Sequence, residues 1–146
     1  MTTPVQKVVA YITWQKRLLV FRQPAFPDAG IQVPAGTMEE GERPELAVLR
    51  EAWEETGLGG LSVVTFLGQR DRVFRSADTG QVAVARRHYF HLRFDGQAPE
   101  RWQHWETSPS EGPHPRILFE LWWVRHPHET PALVADLDAF LADIVL

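Results

Sequence analysis

Residues 49–58 read LREAWEETGL and place Glu51, Glu54 and Glu55 within five positions. In a helix the spacings i, i+3 and i+4 put all three carboxylates on one face, where like charges weaken the helix by a few tenths of a kcal/mol per pair. Only Arg50 lies close by in sequence to offset them. At about 100° per residue, Leu46, Leu49 and Trp53 cluster on one side of that helix and the glutamates fall roughly opposite. The expectation is a helix that buries an apolar stripe and offers the other face as a dense set of oxygen donors. Hard divalent cations such as Mg²⁺, with Mn²⁺ as a substitute, take carboxylate, carbonyl and water oxygens and commonly share a phosphate with the protein. A bound cation turns the repulsion among the glutamates into attraction. Gly36 and Gly41 precede the helix, and a glycine at position 36 lets its carbonyl approach a metal closely.

The interval from Gly36 to Leu58, GTMEEGERPELAVLREAWEETGL, contains Gly36, Glu42, Arg50-Glu51, Glu54-Glu55 and Gly57-Leu58. This run resembles in full the signature of the Nudix hydrolases, G-x5-E-x7-R-E-U-x-E-E-x-G-U, where U is a bulky apolar residue; Ala52 is small for its U position. Seven fixed residue types at ordinary frequencies coincide at a given start with odds on the order of 10⁻⁹ to 10⁻⁸, so the spacing is not accidental. The resemblance implies an α+β chain, a Nudix-type α/β/α sandwich with a mixed β-sheet between helices. It implies Mg²⁺ bound by Glu51, Glu55 and the Gly36 carbonyl, with Glu54 a further ligand or the water-activating group. Arg50 would pair with these acids and orient them, and Glu42 would hold the loop to the helix. The implied reaction is Mg²⁺-dependent hydrolysis of a diphosphate linkage in a nucleotide derivative. Many members of the family take the general base from a later loop instead, which brings in Glu106, Glu111 and Glu120; Glu111 sits in the Pro/Gly-flanked stretch SPSEGPHP.

Phosphate would call for cations, and arginine suits it by bidentate geometry. Arg22 follows the apolar run RLLVF, and Arg70 and Arg72 alternate onto one strand face, with Arg75 beyond them. A solvent-facing polar edge accounts for these arginines equally well. Trp102, Trp105 and Phe26 could stack on a nucleobase, or simply pack. The six histidines form no H-x-x-x-H helical pair. About 16 residues beyond the signature, nucleotide-sugar and dinucleoside-polyphosphate members of the family often carry a proline or a tyrosine. Here the segment is VFRSA, Val73 to Ala77, with neither, which weakens both assignments.

The elements that must position these residues follow from hydrophobic pattern and turn chemistry. QKVVAYITWQKRLLVFRQ reads as two strands joined at WQKR, PAFPDAG as loop and IQVPAG as a short extended piece. Pro44 fits the first turn of the acidic helix and Gly57 ends it. LSVVTFLGQRDRVFR and QVAVARRHYFHLRF are strand-like on either side of the turn SADTG. DGQAPERWQHWETSPSEGPHP reads as an irregular surface excursion, and RILFELWWVRH as a final strand. TPALVADLDAFLADIVL has helical periodicity, with Leu133, Leu137, Phe140, Leu141 and Ile144 on one face. Helices packed on a mixed sheet are the expected architecture.

The chain has 146 residues, 44% of them hydrophobic, which suits one domain over residues 1–146 with a real core. A net charge of −4 argues against a dedicated nucleic-acid binder. The absence of cysteine excludes disulfides, thiolate metal sites and cysteine nucleophiles, and with them an isoprenoid isomerase of the same fold in its usual form. No run near Met1 reads as a signal peptide and none is long enough to span a bilayer, so a cytoplasmic monomer or homodimer acting on a small-molecule nucleotide is expected. The alternative is a regulatory module that senses a nucleotide without hydrolysing it, against which the intact acids at 51, 54 and 55 argue.

Overall fold

The computed structural model describes residues 3–106 and 116–146. Strands β1 (Val5–Trp14) and β2 (Arg17–Arg22) form the first hairpin. Gln15 and Lys16 between them have φ of 53° and 62°, the left-handed pair that matches a two-residue turn to the twist of its strands. Then come β3 (Ala35–Thr37), helix α1 (Pro44–Thr56), β4 (Leu61–Arg75), β5 (Val82–Phe94), β6 (Arg101–Trp105) and β7 (Leu118–Arg125). The sheet runs β4-β5-β1-β2-β7-β6, with β3 paired to the first part of β1. β1 and β5 are parallel and the other pairs antiparallel, so the sheet is mixed and the chain is α+β. Strand β6 corrects the reading of residues 95–115 as irregular. Its five residues alternate between exposed and half-buried, too short a pattern to stand out among prolines and polar groups, and its register is supplied by β7.

Alternation along the strands divides the core into two layers. Val8, Ala10, Ile12, Leu19, Phe21, Phe90, Leu92, Phe119, Leu121 and Trp123 face α1. Val9, Tyr11, Leu18, Val20 and Tyr89 face the opposite side, where Leu133 and Leu137 of the C-terminal segment are buried and Phe140, Leu141 and Ile144 pack around them. That segment was expected to be a helix, and it is not. Ala135 and Asp136 have φ of 56° and 62°, a conformation that ends a right-handed helix. The sheet holds the reversal in place. The Arg87 guanidinium donates to the Ala135 carbonyl, Tyr89 Oη to the Asp136 carbonyl at 2.7 Å and Tyr11 Oη to the Leu137 carbonyl at 2.5 Å. The Phe140 amide donates back to Tyr11 Oη at 3.2 Å, and a 3-10 turn, Leu141–Asp143, follows. The apolar stripe therefore covers the sheet as foreseen, but through turns.

Helix α1 also departs from expectation. Leu46 and Trp53, two of the three residues meant to anchor it, are 59% and 55% exposed. The buried stripe is Val48, Glu51, Ala52 and Glu55, at i, i+3, i+4 and i+7, flanked by Ala47 and Glu54. Apolar bulk misidentified the inner face because small residues seat the helix on the sheet and the carboxylates find partners there. Among the described residues no helix is long and apolar enough to cross a membrane.

Candidate active site

Pro44 opens α1 with its φ already set for a helix, and Gly57 closes it in the left-handed region at φ 76°. The last-turn carbonyls are taken up one by one. Thr56 Oγ1 donates to Ala52 at 2.7 Å, the Gly57 amide to Trp53 at 2.8 Å, His104 Nε2 to Glu54 at 3.0 Å and Trp102 Nε1 to Thr56 at 3.0 Å. Strand β6 thus clamps the end of the helix that carries the acids. Trp102 packs into the layer beneath α1, which gives it a structural task in place of base stacking. Trp105 and Phe26 are 49% and 55% exposed.

Arg50 organises the acids. Its Nε and Nη2 take both oxygens of Glu42 at 2.8 and 2.9 Å, a bidentate fork. Its Nη1 reaches Glu51 Oε1 at 2.9 Å and Glu54 Oε2 at 3.2 Å, and Nη2 also donates to the Thr37 carbonyl at 3.2 Å. The hydrogen bonds from Arg50 hold the Glu42 carboxyl below the usual carboxylate range, and those to Glu42 and Glu51 push the guanidinium up. Glu42 Oε1 accepts from the Glu39 amide at 3.0 Å as well, tying the loop before α1 to the helix.

Glu51, Glu54 and Glu55 are almost fully buried. The Ala35 amide of β3 donates to Glu55 Oε2 at 3.3 Å. Gly36, paired with Val8 of β1, lies so close to Glu51 that a Cβ there would overlap the carboxylate. Gly36, Glu51 and Glu55, but not Glu54, line a cleft of about 370 Å³ together with Lys7, Phe21, Gln23, Gln32, Glu106 and Phe119, among others. The acidic side chains of the lining offer carboxylate oxygens, the chemistry that suits a hard divalent cation. Among the described residues, no three acidic or histidine side chains already converge as a finished cation cage; Arg50 holds two of the carboxylates instead.

The structure brings Gly36, Arg50, Glu51, Glu54 and Glu55 together and adds Glu106 at the start of the segment after β6. It does not bring in Glu120, Arg22, Arg70 or Arg72. Glu120 lies between Phe119 and Leu121, which face α1, so its side chain points to the far side of the sheet. There Arg22, at 3.2 Å, and Arg101 hold it as a carboxylate below its usual range. Arg72 binds Asp136 at 2.8 Å over the C-terminal segment, and Arg70 shares its face by alternation. Glu111 lies outside the described residues. Lys7 and Gln23 had no distinguishing signal in the sequence, because only the pairing of β1 with β3 places the end of β1 beside Gly36.

A family model described as the NUDIX domain matches residues 3–137. The chain belongs to the Nudix family. Over 60 residues this Nudix chain is 37% identical to an RNA pyrophosphohydrolase of Cereibacter sphaeroides, a match that covers 40% of the chain and 37% of that protein. It therefore spans little more than a third of that relative's length. Among solved structures it resembles the E. coli dihydroneopterin triphosphate pyrophosphohydrolase with a TM-score of 0.66 at 16% identity, covering 98% of this chain and 100% of that one. A MutT NUDIX hydrolase from Burkholderia pseudomallei gives 0.62 at 22%, covering 99% and 100% of the two chains. A UDP-X diphosphatase gives 0.63 at 19%, covering 98% and 63%. At these identities the structural likeness establishes the shared fold alone.

Proposed function

We propose that this Nudix chain is a Mg²⁺-dependent pyrophosphohydrolase that cleaves the diphosphate linkage of a nucleotide derivative. The observation that carries the reading is the cleft itself: Glu51, Glu55 and Glu106 line it together with the Gly36 backbone, which is pressed against the Glu51 carboxylate. Glu51, Glu55 and the Gly36 carbonyl would hold the cation, with Glu54 beside them on Arg50. Mn²⁺ has the same preference for oxygen donors and would substitute. Divalent cations at such a site neutralise phosphate charge and lower the pKa of a bound water. The names of the relatives, pyrophosphohydrolase and diphosphatase among them, support the same reaction class.

The chain's own residues would act as follows. Arg50 holds Glu51 and Glu54 in place before substrate arrives, so little reorganisation would be needed at the moment of reaction. Glu106 lines the cleft together with Glu51 and Glu55 and would accept the proton of the attacking water; Glu54 is not part of that lining. The attack lengthens and breaks the bridging P–O bond, and the second phosphate leaves with that oxygen.

A Mg²⁺-supported product-release screen over nucleoside triphosphates, nucleotide sugars, dinucleoside polyphosphates and capped RNA tests the reading. Glu55→Gln is expected to lower turnover by on the order of 10²–10³-fold, the equivalent of several kcal/mol of lost charge stabilisation. Glu106→Gln should lower kcat by about 10²-fold or more with Mg²⁺ affinity largely kept, and Glu54→Gln less than that. Tight nucleotide binding with no turnover of any substrate would overturn hydrolysis and favour a sensing module.

A further inference from the structure

A phosphate chain entering this cleft meets three carboxylates, so the cations that face it decide whether it binds. Arg70 and Arg72 lie across the sheet, and Arg22 is turned to the far side with Glu120. Arg50 is engaged with Glu42, Glu51, Glu54 and the Thr37 carbonyl. Among the described residues lining the cleft, the one cationic side chain is Lys7. Lys7 stands on β1 opposite Thr37, one step along the ladder from the Val8–Gly36 pair. The strand pairing that sets Gly36 against Glu51 therefore also fixes the position of Lys7 in the cleft.

We propose that Lys7 is the residue that binds the substrate's phosphate chain, its ammonium donating to a non-bridging phosphate oxygen beside the carboxylates. The inference rests on the pyrophosphohydrolase reading and adds the phosphate contact to it. A lysine ammonium is a compact charge with three donors on a flexible stem, able to leave a carboxylate for a phosphate oxygen without a fixed fork geometry. A purely structural lysine would instead hold the end of β1 to the acids. The two roles part company in their effect on cations. Removing a resident positive charge from an acidic cleft does not weaken divalent-cation binding, whereas loosening the strand pair beside Gly36 does.

The test is calorimetric titration of the full chain with Mg²⁺ alone, then with a methylene-bridged nucleoside triphosphate analogue in saturating Mg²⁺. For Lys7→Met the expected result is Mg²⁺ affinity equal to or a few-fold above wild type, and analogue affinity lower by about 10- to 100-fold. Lys7→Arg should recover most of the analogue affinity. Parallel weakening of Mg²⁺ and analogue in Lys7→Met, or unchanged analogue affinity, would overturn the assignment while leaving the hydrolase reading intact. A wild-type protein that binds neither Mg²⁺ nor analogue would overturn both.

Discussion

Gly36→Ala isolates the close approach on which the candidate site depends. Gly36 does not occupy the left-handed region, so alanine meets no backbone penalty there. The whole effect comes from one methyl group placed on the Glu51 carboxylate. Glu51 cannot simply turn away: it is 4% exposed, and Arg50 holds its Oε1 at 2.9 Å. Nor can β3 move freely, because Ala35, Gly36 and Thr37 are in register with Val9, Val8 and Lys7. Relief comes either by displacing the strand, an overpacking cost of about 1–3 kcal/mol, or by breaking the Arg50–Glu51 bond, worth about 1.5–3 kcal/mol. The two are alternatives and do not add.

At about 3–4 °C per kcal/mol for a chain of this size, Tm should fall by about 3–12 °C. Displacing a carboxylate by about 1 Å is expected to cost on the order of 10²-fold in kcat/KM. Gly59→Ala is the control, since its added Cβ meets open space and its φ is not left-handed; Tm should stay within about 2 °C of wild type or rise. Scanning calorimetry with Mg²⁺ titration reads both variants. A Gly36→Ala protein with wild-type Tm and wild-type Mg²⁺ affinity would refute the claim that this contact sets the site.

Three further outcomes follow from other contacts. Glu42 titrates below its ordinary 4.5 because Arg50 hydrogen-bonds it, so its contribution to stability is full above that pH and is lost as pH falls through the folded value. Urea melts between about pH 5 and pH 3 should show a shallower loss for Glu42→Gln than for wild type. Tyr11→Phe removes the hydroxyl between the Leu137 carbonyl and the Phe140 amide and should destabilise by about 1–3 kcal/mol in the same melts; a change under about 0.5 would mean the C-terminal turns do not depend on it. Ala135→Gly relieves a left-handed alanine and should raise stability by up to about 1 kcal/mol, whereas a helical C-terminal segment would be weakened by the same change.

Local chemistry told the sequence reader where acids and turns lie. The sheet then decided which way they face. The first hairpin, the start of α1 at Pro44 and its end at Gly57 depend on residues within a few positions, and these were legible. Strand β6 was not, because its register comes from β7. The C-terminal helix failed for the same reason: apolar spacing marked the surface to be covered, while Tyr11, Tyr89 and Arg87, distant in sequence, chose turns to cover it. In α1 the exposed Trp53 and the buried Ala52 reverse what side-chain size suggests. Within the candidate site, Arg50 and the helix acids could be listed from spacing alone. Lys7 could not, being one polar residue in a strand until β3 pairs beside it.

The crowding of Glu51, Glu54 and Glu55 poses a sharper physical question once they are known to be buried, since a charge removed from water is stable only when paired and hydrogen-bonded. Hydrogen bonds within the chain meet part of that cost. Arg50 takes one oxygen each of Glu51 and Glu54, the Ala35 amide donates to Glu55, and Glu42 balances the arginine from the loop side. One guanidinium shared among Glu42, Glu51 and Glu54, with Glu55 on a neutral amide, leaves an excess of negative charge of the kind a divalent cation would offset. Ala47 and Ala52 are fully buried between α1 and the sheet, on the helix that sets Glu51 against Gly36 and Glu55 against the Ala35 amide.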